Sequence, residues 1–172
     1  MTRSAQHGGQ RPGRRRAQPL SSGPLTETGL VDWGQRIGRQ IAAPVVLALR
    51  GELGAGKSVL ARAIARGAGV TTPMPSPTFN LLFRYRAGRP LDVAHLDLFR
   101  LEDPEEVLEL GWQDLGHEAE IVVIEWPERA EPLLPEPRWD IYLDMEGPAH
   151  RRVRAVPRGE PPALPPPPDT AR

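Results

Sequence analysis

Apolar residues recur at helical spacing in two segments of the chain. In each segment they lie three or four residues apart, which predicts an amphipathic helix with one buried face. Thr26 or Thr28 can cap the start of the first helix, and Gly67 or Gly69 ends the second. The apolar positions are Leu30, Trp33, Ile37 and Ile41 in the first segment and Leu60, Ala63, Ile64 and Ala68 in the second.

Two further segments are unbroken apolar runs, VVLAL at residues 45–49 and IVVI at residues 121–124. A run without polar alternation is typical of a strand that is buried on both faces, as in a parallel sheet. Because helical segments alternate with these runs, we predict an α/β fold with helices flanking the sheet.

Antiparallel strands and a short helix complete the predicted fold. Residues 79–86 and 91–101 predict two strands joined through AGRP, and residues 139–156 predict a closing hairpin that turns at Gly147-Pro148. DPEE at residues 103–106 has an acidic cap, a proline at the first helical position and acids in the first turn, which predicts a helix start. The sheet is therefore expected to be mixed, with antiparallel hairpin additions.

Both ends of the chain lack this patterning. Residues 1–24 contain five arginines and no acidic residue, and residues 157–172 read PRGEPPALPPPPDTAR. Few apolar side chains are available in the first segment, and proline disfavours both helix and sheet in the second. We therefore predict a disordered basic tail at 1–24, one folded domain at 25–156 and a disordered Pro-rich tail at 157–172.

Composition excludes several kinds of protein. The chain has no cysteine, which excludes disulfides, thiolate metal sites and cysteine nucleophiles. Its 22 basic side chains balance 22 acidic ones, so no overall field favours nucleic acid or a membrane. No apolar run approaches the roughly twenty residues that a membrane span needs. We expect a cytoplasmic protein without a membrane partner.

One stretch carries a recognisable chemistry, GELGAGKS at residues 51–58. It fits the phosphate-loop pattern GxxxxGK[ST], and it lies between a predicted buried strand and a predicted helix, as that pattern requires. Lys57 is the only lysine in a chain that has 21 arginines. A slender ammonium can reach over the loop to the β- and γ-phosphates, whereas a planar guanidinium is too wide, and this explains the lysine at this position. The predicted nucleotide-binding residues of the loop are Gly51, Glu52, Leu53, Gly54, Ala55, Gly56, Lys57 and Ser58.

Each part of the loop has a physical reason. Glycines allow backbone N–H groups to approach phosphate oxygens, and the helix that follows offers unpaired N–H donors and a dipole that favours anions. The Ser58 hydroxyl is expected to bind Mg²⁺, so the predicted cofactors are ATP and Mg²⁺. The fold is thereby predicted to be P-loop NTPase-like, and the domain at 25–156 to be an ATPase domain.

Magnesium bound to a phosphate loop also needs a carboxylate at the end of a neighbouring strand. Glu125 ends the second apolar run, and Asp97 shares one face of a strand with His95 and Phe99. We expect Glu125 and Asp97 to bind the metal or to orient the attacking water. The sequence leaves open which of the two contacts the metal directly.

Two other features allow two interpretations each. Ser76-Pro77-Thr78 is a proline-stiffened loop with two hydroxyls, which can sense the γ-phosphate as a switch or can be an ordinary turn. Under the first interpretation Thr78 belongs to the catalytic residues. Trp126 follows Glu125 and is expected either in the core or beside the nucleotide.

The order and spacing of five motifs resemble those of the bacterial TsaE family, also known as YjeE. The resemblance covers about Thr26 to Val156, and the SPT and EWP motifs are its most specific parts. Many relatives have threonine in place of Ser58 and tyrosine in place of Phe79 and Phe99. The five motifs are GELGAGKS, SPTF, HLDLFRL, DPEEVLELG and IEWPER.

This resemblance implies a small ATPase needed for threonylcarbamoyladenosine modification of tRNA. Because no residue is an obvious arginine finger, we predict slow intrinsic hydrolysis that partner binding raises. It implies TsaD and TsaB as protein partners, whose transferase turnover ATP hydrolysis supports, and tRNA as an indirect partner through that complex. It also implies Lys57 and Ser58 on phosphate and magnesium, and Trp126 near the nucleotide. The implied catalytic residues are Thr78, Asp97 and Glu125.

Two other functions remain open from the residues alone. A small-molecule kinase would use the same phosphate loop, although no lid or acceptor pocket is recognisable. A nucleic-acid-binding module would use residues 1–24 together with Arg151, Arg152 and Arg154, although no base-stacking aromatic residue lies beside them.

Overall fold

A computed structural model describes residues 17–74, 81–88, 90–117 and 119–168. Within these residues the strands form one seven-stranded sheet in the order β1-β7-β6-β2-β5-β4-β3. The strands are β1 (Leu20–Leu25), β2 (Val45–Arg50), β3 (Leu82–Arg86), β4 (Asp92–Asp97), β5 (Glu120–Glu125), β6 (Arg138–Glu146) and β7 (His150–Arg158). The helices are α1 (Glu27–Gln40), α2 (Lys57–Ala68) and α3 (Glu106–Glu109), with 3₁₀ turns at Trp112–Asp114 and Pro127–Leu133.

The strand directions confirm the predicted mixed α/β sheet. At its centre β2 is parallel to both β5 and β6, and β4 is parallel to β5. The two predicted hairpins are present as the antiparallel pairs β3–β4 and β6–β7. Because the four parallel strands β4, β5, β2 and β6 end at the same edge, the segments that follow them come together there. No helix in the described ranges has the length and apolar character to cross a membrane.

The central strands β2 and β5 are buried on both faces, which explains their apolar runs. Alternate residues of β2 point to opposite sides of the sheet. Val45, Leu47 and Leu49 belong to the apolar cluster that also contains residues of α1 and α2, whereas Val46 belongs to the second cluster, under the short helices. The first helix begins as predicted, because the Thr26 hydroxyl accepts a hydrogen bond from Gly29 N at 3.2 Å.

Helix α3 begins later than the sequence predicts. The Asp103 carboxylate accepts from Glu105 N at 2.9 Å, and the Glu106 carboxylate accepts from Asp103 N at 3.0 Å. These reciprocal bonds resemble a capping box, as the DPEE pattern indicates. The regular helix starts only at Glu106, so the first residues of the motif form a turn that leads into it.

Glycines allow α1 and α2 to pack at unusually short range. A methyl group on Gly38 would collide with the carbonyl oxygen of Ile64, and one on Gly67 would collide with the carbonyl oxygen of Gln35. Helix-interior glycine is intrinsically unfavourable. Here its lack of a side chain brings the two helix backbones together, and this positions α2 beneath the phosphate loop.

The replacement Gly38→Ala is expected to lower the free energy of unfolding by about 1–3 kcal/mol, because the added methyl group forces the helices apart. Gly29→Ala is the matched control, since it lies in the same helix and its methyl group would meet no atom closer than 3.6 Å. Urea unfolding monitored by circular dichroism measures both. Equal stability of the two variants would contradict the close packing.

The folded region extends beyond both predicted boundaries. Leu20 to Leu25, most of which was assigned to the N-terminal tail, form the edge strand β1, because they pair with β7. Ser22 Oγ accepts from Val153 N at 2.9 Å, and Leu25 is buried. At the other end β7 continues to Arg158, and residues 159–168 lie against the domain. Residues 1–16 and 169–172 lie outside the described residues.

Candidate functional site

The predicted phosphate loop connects β2 to α2 in a conformation that requires glycine. Gly51 has φ 143° and a methyl group there would lie 2.5 Å from Leu143 O, while Gly56 has φ 103° immediately before the helix. No side chain caps the first turn of α2. The uncapped N–H groups of that turn are therefore available to an anion.

Lys57 lies across the loop rather than extending into solvent. Its ammonium donates to Gly51 O at 2.7 Å and to Glu52 O at 2.8 Å, and it lies 3.6 Å from the centre of the Trp126 ring. The side chain is only 4% exposed. These carbonyl contacts hold the charge at the loop, where the β- and γ-phosphates of a nucleotide would bind.

Ionisable groups beside the loop have shifted pKa values. Burial lowers the pKa of Lys57, and attraction by Glu125, Glu128 and Asp97 offsets this only in part. Burial raises the pKa of Asp97; the hydrogen bond from Phe99 N opposes this shift, and repulsion by Glu125 adds to it. Oppositely charged groups with shifted pKa values in one cleft are typical of functional sites.

Glu125 is the most buried carboxylate of the site, with 1% exposure at the end of β5. Its Oε2 accepts from Ser58 Oγ at 2.7 Å, and its Oε1 lies 2.8 Å from His95 Nε2. Asp97 is paired in register with Glu125 across β4 and β5. The two predicted carboxylates are therefore neighbours, and Glu125 contacts the hydroxyl that was predicted to bind magnesium.

His95 is a site residue to which the sequence analysis assigned no role. It is 2% exposed, and within the described residues its Nδ1 has no hydrogen-bond partner. A carboxylate can only accept, so the Nε2 that faces Glu125 carries the proton. The sequence contained one signal for this residue: a histidine within the apolar part of the strand, two residues before Asp97 and on the same face.

Trp126 lies at the phosphate loop and also packs against the second apolar cluster; its position beside a nucleotide stays a prediction. Its backbone has φ 57°, a left-handed conformation that costs a non-glycine residue about 1–2 kcal/mol. Its ring lies below the Lys57 ammonium and 4.9 Å from the centre of the Phe99 ring. This conformation turns the indole towards the phosphate loop.

These groups line a cavity of about 270 Å³. Ala55 is not among the lining residues: its side chain is buried in the core, and its carbonyl accepts from Arg151 Nε at 3.3 Å. Thr78 and the rest of the Ser76-Pro77-Thr78 motif lie outside the described residues. The cavity is lined by Leu53, Gly54, Gly56, Lys57, Ser58, Val59, Asp97, Phe99, Glu125 and Trp126.

The oxygen ligands available in this cavity fit magnesium. The Ser58 hydroxyl and the Glu125 and Asp97 carboxylates are hard oxygen donors, which Mg²⁺ prefers. In the described part of the chain no cluster of three His, Asp or Glu residues could hold a metal ion alone. In phosphate loops that bind magnesium, nucleotide and water complete the coordination.

The arginines proposed for nucleic-acid binding make contacts within the domain. Arg152 Nε donates to Glu146 at 2.6 Å, and the Arg154 guanidinium lies 3.9 Å from the centre of the Tyr142 ring. Arg151 supports the phosphate loop, as described above. Each of the three arginines therefore has at least one partner within the domain, and Arg152 and Arg154 are also exposed.

A sequence profile of the family described as "Threonylcarbamoyl adenosine biosynthesis protein TsaE" matches residues 26–153. The chain belongs to the TsaE family. The matched region contains the phosphate loop, both carboxylates and Trp126, so every described residue of the candidate site lies in the part shared with TsaE. The predicted family membership is confirmed.

Individual relatives agree with this assignment. A Synechocystis sp. protein is 42% identical over 106 residues, covering 60% of this chain and 66% of that protein. A Nostoc sp. protein is 38% identical over 128 residues, covering 72% of this chain and 77% of that protein. Both are named "tRNA threonylcarbamoyladenosine biosynthesis protein TsaE".

A solved structure supports the fold. The crystal structure of Bacillus subtilis YdiB superposes with a TM-score of 0.68 at 22% sequence identity. The superposition covers 85% of this chain and 90% of that chain. At this identity the likeness concerns the TsaE fold alone, which agrees with the predicted P-loop architecture.

Proposed function

We propose that the protein is a P-loop ATPase that binds Mg-ATP and supports turnover of the TsaD–TsaB threonylcarbamoyl transferase acting on tRNA. Membership of the TsaE family supports the link to tRNA modification. The observation that carries the ATPase proposal is the convergence of Lys57, Ser58, Glu125 and Asp97 on one cavity at the mouth of a phosphate loop.

Nucleotide binding begins with groups that the structure holds ready. The Lys57 ammonium exchanges its bonds to Gly51 O and Glu52 O for the β- and γ-phosphate oxygens, while the uncapped N–H groups of α2 donate to the same phosphates. Trp126 lies close enough to exclude water from the ammonium. These exchanges replace neutral acceptors by charged ones, which strengthens each hydrogen bond.

The carboxylates then serve hydrolysis, in which water attacks the γ-phosphate and releases ADP and phosphate. Ser58, with Glu125 or Asp97, would hold Mg²⁺, which neutralises charge on the phosphates when it is bound. His95 fixes the orientation of Glu125 by donating to Oε1. The carboxylate that does not hold the metal orients the attacking water.

We expect hydrolysis by the isolated protein to be slow, near the 10⁻⁴ to 10⁻² s⁻¹ of unassisted P-loop hydrolases. Among the described residues the cavity is lined by no arginine that could stabilise charge in the transition state. Phosphate release is measured for the protein alone and after addition of TsaD and TsaB. Stimulation only when both partners are present supports the proposal. Turnover above about 1 s⁻¹ without partners, or a phosphorylated acceptor in place of free phosphate, would refute it.

Lys57→Ala is expected to weaken nucleotide binding about 10- to 150-fold, the equivalent of a charge-assisted contact of roughly 1.5–3 kcal/mol. A titration with a fluorescent ATP analogue measures the loss. Arg66→Ala is the control, because Arg66 is an exposed cation in the last turn of the same helix. A Lys57→Ala protein that binds nucleotide as well as the control variant would remove Lys57 from the site.

A further inference from the structure

Residues 159–168 lie against the domain with a period of three. Pro161, Leu164 and Pro167 are buried, and Ala163 and Pro166 are exposed. Proline restricts φ to the polyproline II range, and a polyproline II helix has three residues per turn. The segment therefore presents one edge of such a helix to the protein.

The two indole hydrogen bonds to the segment have the same period. Trp139 Nε1 donates to Pro162 O at 2.8 Å, and Trp33 Nε1 donates to Pro165 O at 2.9 Å. A third donor is Arg36 Nη2, which lies 2.9 Å from Pro166 O. Because a polyproline II helix makes no internal hydrogen bonds, its carbonyl groups are free to accept from such donors.

Aromatic side chains that accept a proline-rich strand are the usual basis of polyproline recognition. Here the two indoles come from different elements, α1 and β6, and Leu164 belongs to the same buried cluster as both. Leu164 is 7% exposed, so it fills the space between them as an anchor. Without the segment two buried indole N–H groups would lose their partners, which is unfavourable.

We propose that Trp33, Arg36 and Trp139 form a binding groove for a polyproline II peptide, whose resident ligand is the chain's own residues 159–168. Gly159 supports an intrachain ligand, because its φ of 64° turns the backbone directly after β7 ends at Arg158. The groove takes peptides with apolar residues at every third position, in the order Pro-x-x-Leu-x-x-Pro. This binding site is separate from the nucleotide site and does not depend on ATP hydrolysis.

Hydrogen exchange of the tryptophan indoles, measured by NMR on the full-length protein, tests the groove. In Leu164→Glu the buried charge should expel the segment, and the indole protection of Trp33 and Trp139 should fall by about tenfold or more. Trp112 is the internal control, because its indole donates to Leu133 O at 2.7 Å elsewhere in the fold. Ala163→Glu, the same change at the neighbouring exposed position, should leave all three indoles protected.

A synthetic peptide of residues 159–168 should restore the exchange protection of both indoles when it is added to the Leu164→Glu protein. A peptide with glutamate at the leucine position should not restore it. Unchanged exchange in Leu164→Glu, or failure of the peptide to restore protection, would overturn the proposal. If the indole protection of the wild-type protein falls on dilution, the bound segment comes from a second copy of the chain, and the proposal of an intrachain ligand is wrong. If Trp112 also loses protection in Leu164→Glu, the milder Leu164→Ala is measured instead. Loss of protection at Trp33 and Trp139 with Trp112 unaffected would then support the proposal, and any other result would overturn it.

Discussion

Replacing Glu125 by glutamine is expected to slow ATP hydrolysis by about 10²- to 10⁴-fold, the range that a positioned acid–base or charged group contributes. Glutamine keeps the size of the side chain and an oxygen that can accept from His95 Nε2 or Ser58 Oγ. It removes the negative charge that metal binding or activation of the water requires. The fold should remain intact, because a buried amide replaces a buried carboxylate of the same shape.

The comparison with Asp97→Asn assigns the two carboxylates to their tasks. Initial rates are measured over a range of Mg²⁺ concentrations for both variants. The residue that binds the metal should show an increased Mg²⁺ requirement, whereas the residue that orients water should show a lower maximal rate at an unchanged requirement. Glu128→Gln is the matched control, because Glu128 is an exposed acid near Lys57 and outside the cavity lining. Wild-type rates in Glu125→Gln would exclude Glu125 from the reaction.

Replacing Asp140 by alanine is expected to destabilise the protein by about 3–5 kcal/mol, because it removes a fully buried carboxylate from the buried Arg138 and the largely buried Arg50. Asp140 is fully buried in β6. Its carboxylate accepts from Arg158 Nε at 2.9 Å, from Arg138 Nε at 3.0 Å and from Arg50 Nη2 at 3.2 Å. Urea unfolding at neutral pH measures the loss. Asp144→Ala, at an exposed position on the same strand, should change stability by less than about 0.5 kcal/mol.

The same cluster predicts a dependence of stability on pH. Burial alone would raise the pKa of Asp140, but hydrogen bonds from Arg158 and Arg138 and attraction by Arg50 outweigh burial and lower it. A folded-state pKa below the unfolded value of about 3.9 stabilises the protein above that pH, and this contribution is lost as pH falls through the folded pKa. The stability difference between wild type and Asp140→Ala should therefore shrink below about pH 4. A difference independent of pH would contradict ionisation of Asp140 in the folded protein.

The parts of the fold that were predictable depend on neighbouring residues. The phosphate loop is recognisable because its glycines, lysine and hydroxyl must be contiguous to surround a phosphate. The runs at β2 and β5 indicate parallel strands because burial on both faces leaves no polar position. Glu125 and Asp97 were found because carboxyl ends of parallel strands meet at one edge of a sheet.

The missed parts depend on residues that are far apart in the chain. Strand β1 contains two serines, a glycine and a proline, which disfavour a strand, and it forms only because the edge of β7 offers it hydrogen-bond partners. The glycines of α1 predict a weak helix, and only the position of α2 shows that they allow the two helices to pack closely. The bond between His95 and Glu125 joins adjacent strands that are separated by 30 residues.

The sequence by itself therefore determined which residues carry the proposed chemistry: a phosphate-loop motif with one lysine, a hydroxyl proposed to bind magnesium and two candidate carboxylates, in a mixed α/β sheet. These features follow from local spacing and from apolar patterning, which short stretches of sequence contain in full. Only the tertiary structure decided that Trp126 lies beside Lys57, that His95 contacts Glu125, and that the Pro-rich end lies against Trp33, 132 residues earlier in the chain. Each of these depends on donors, acceptors and surfaces that folding brings together, and no local pattern specifies the partner of a distant polar group.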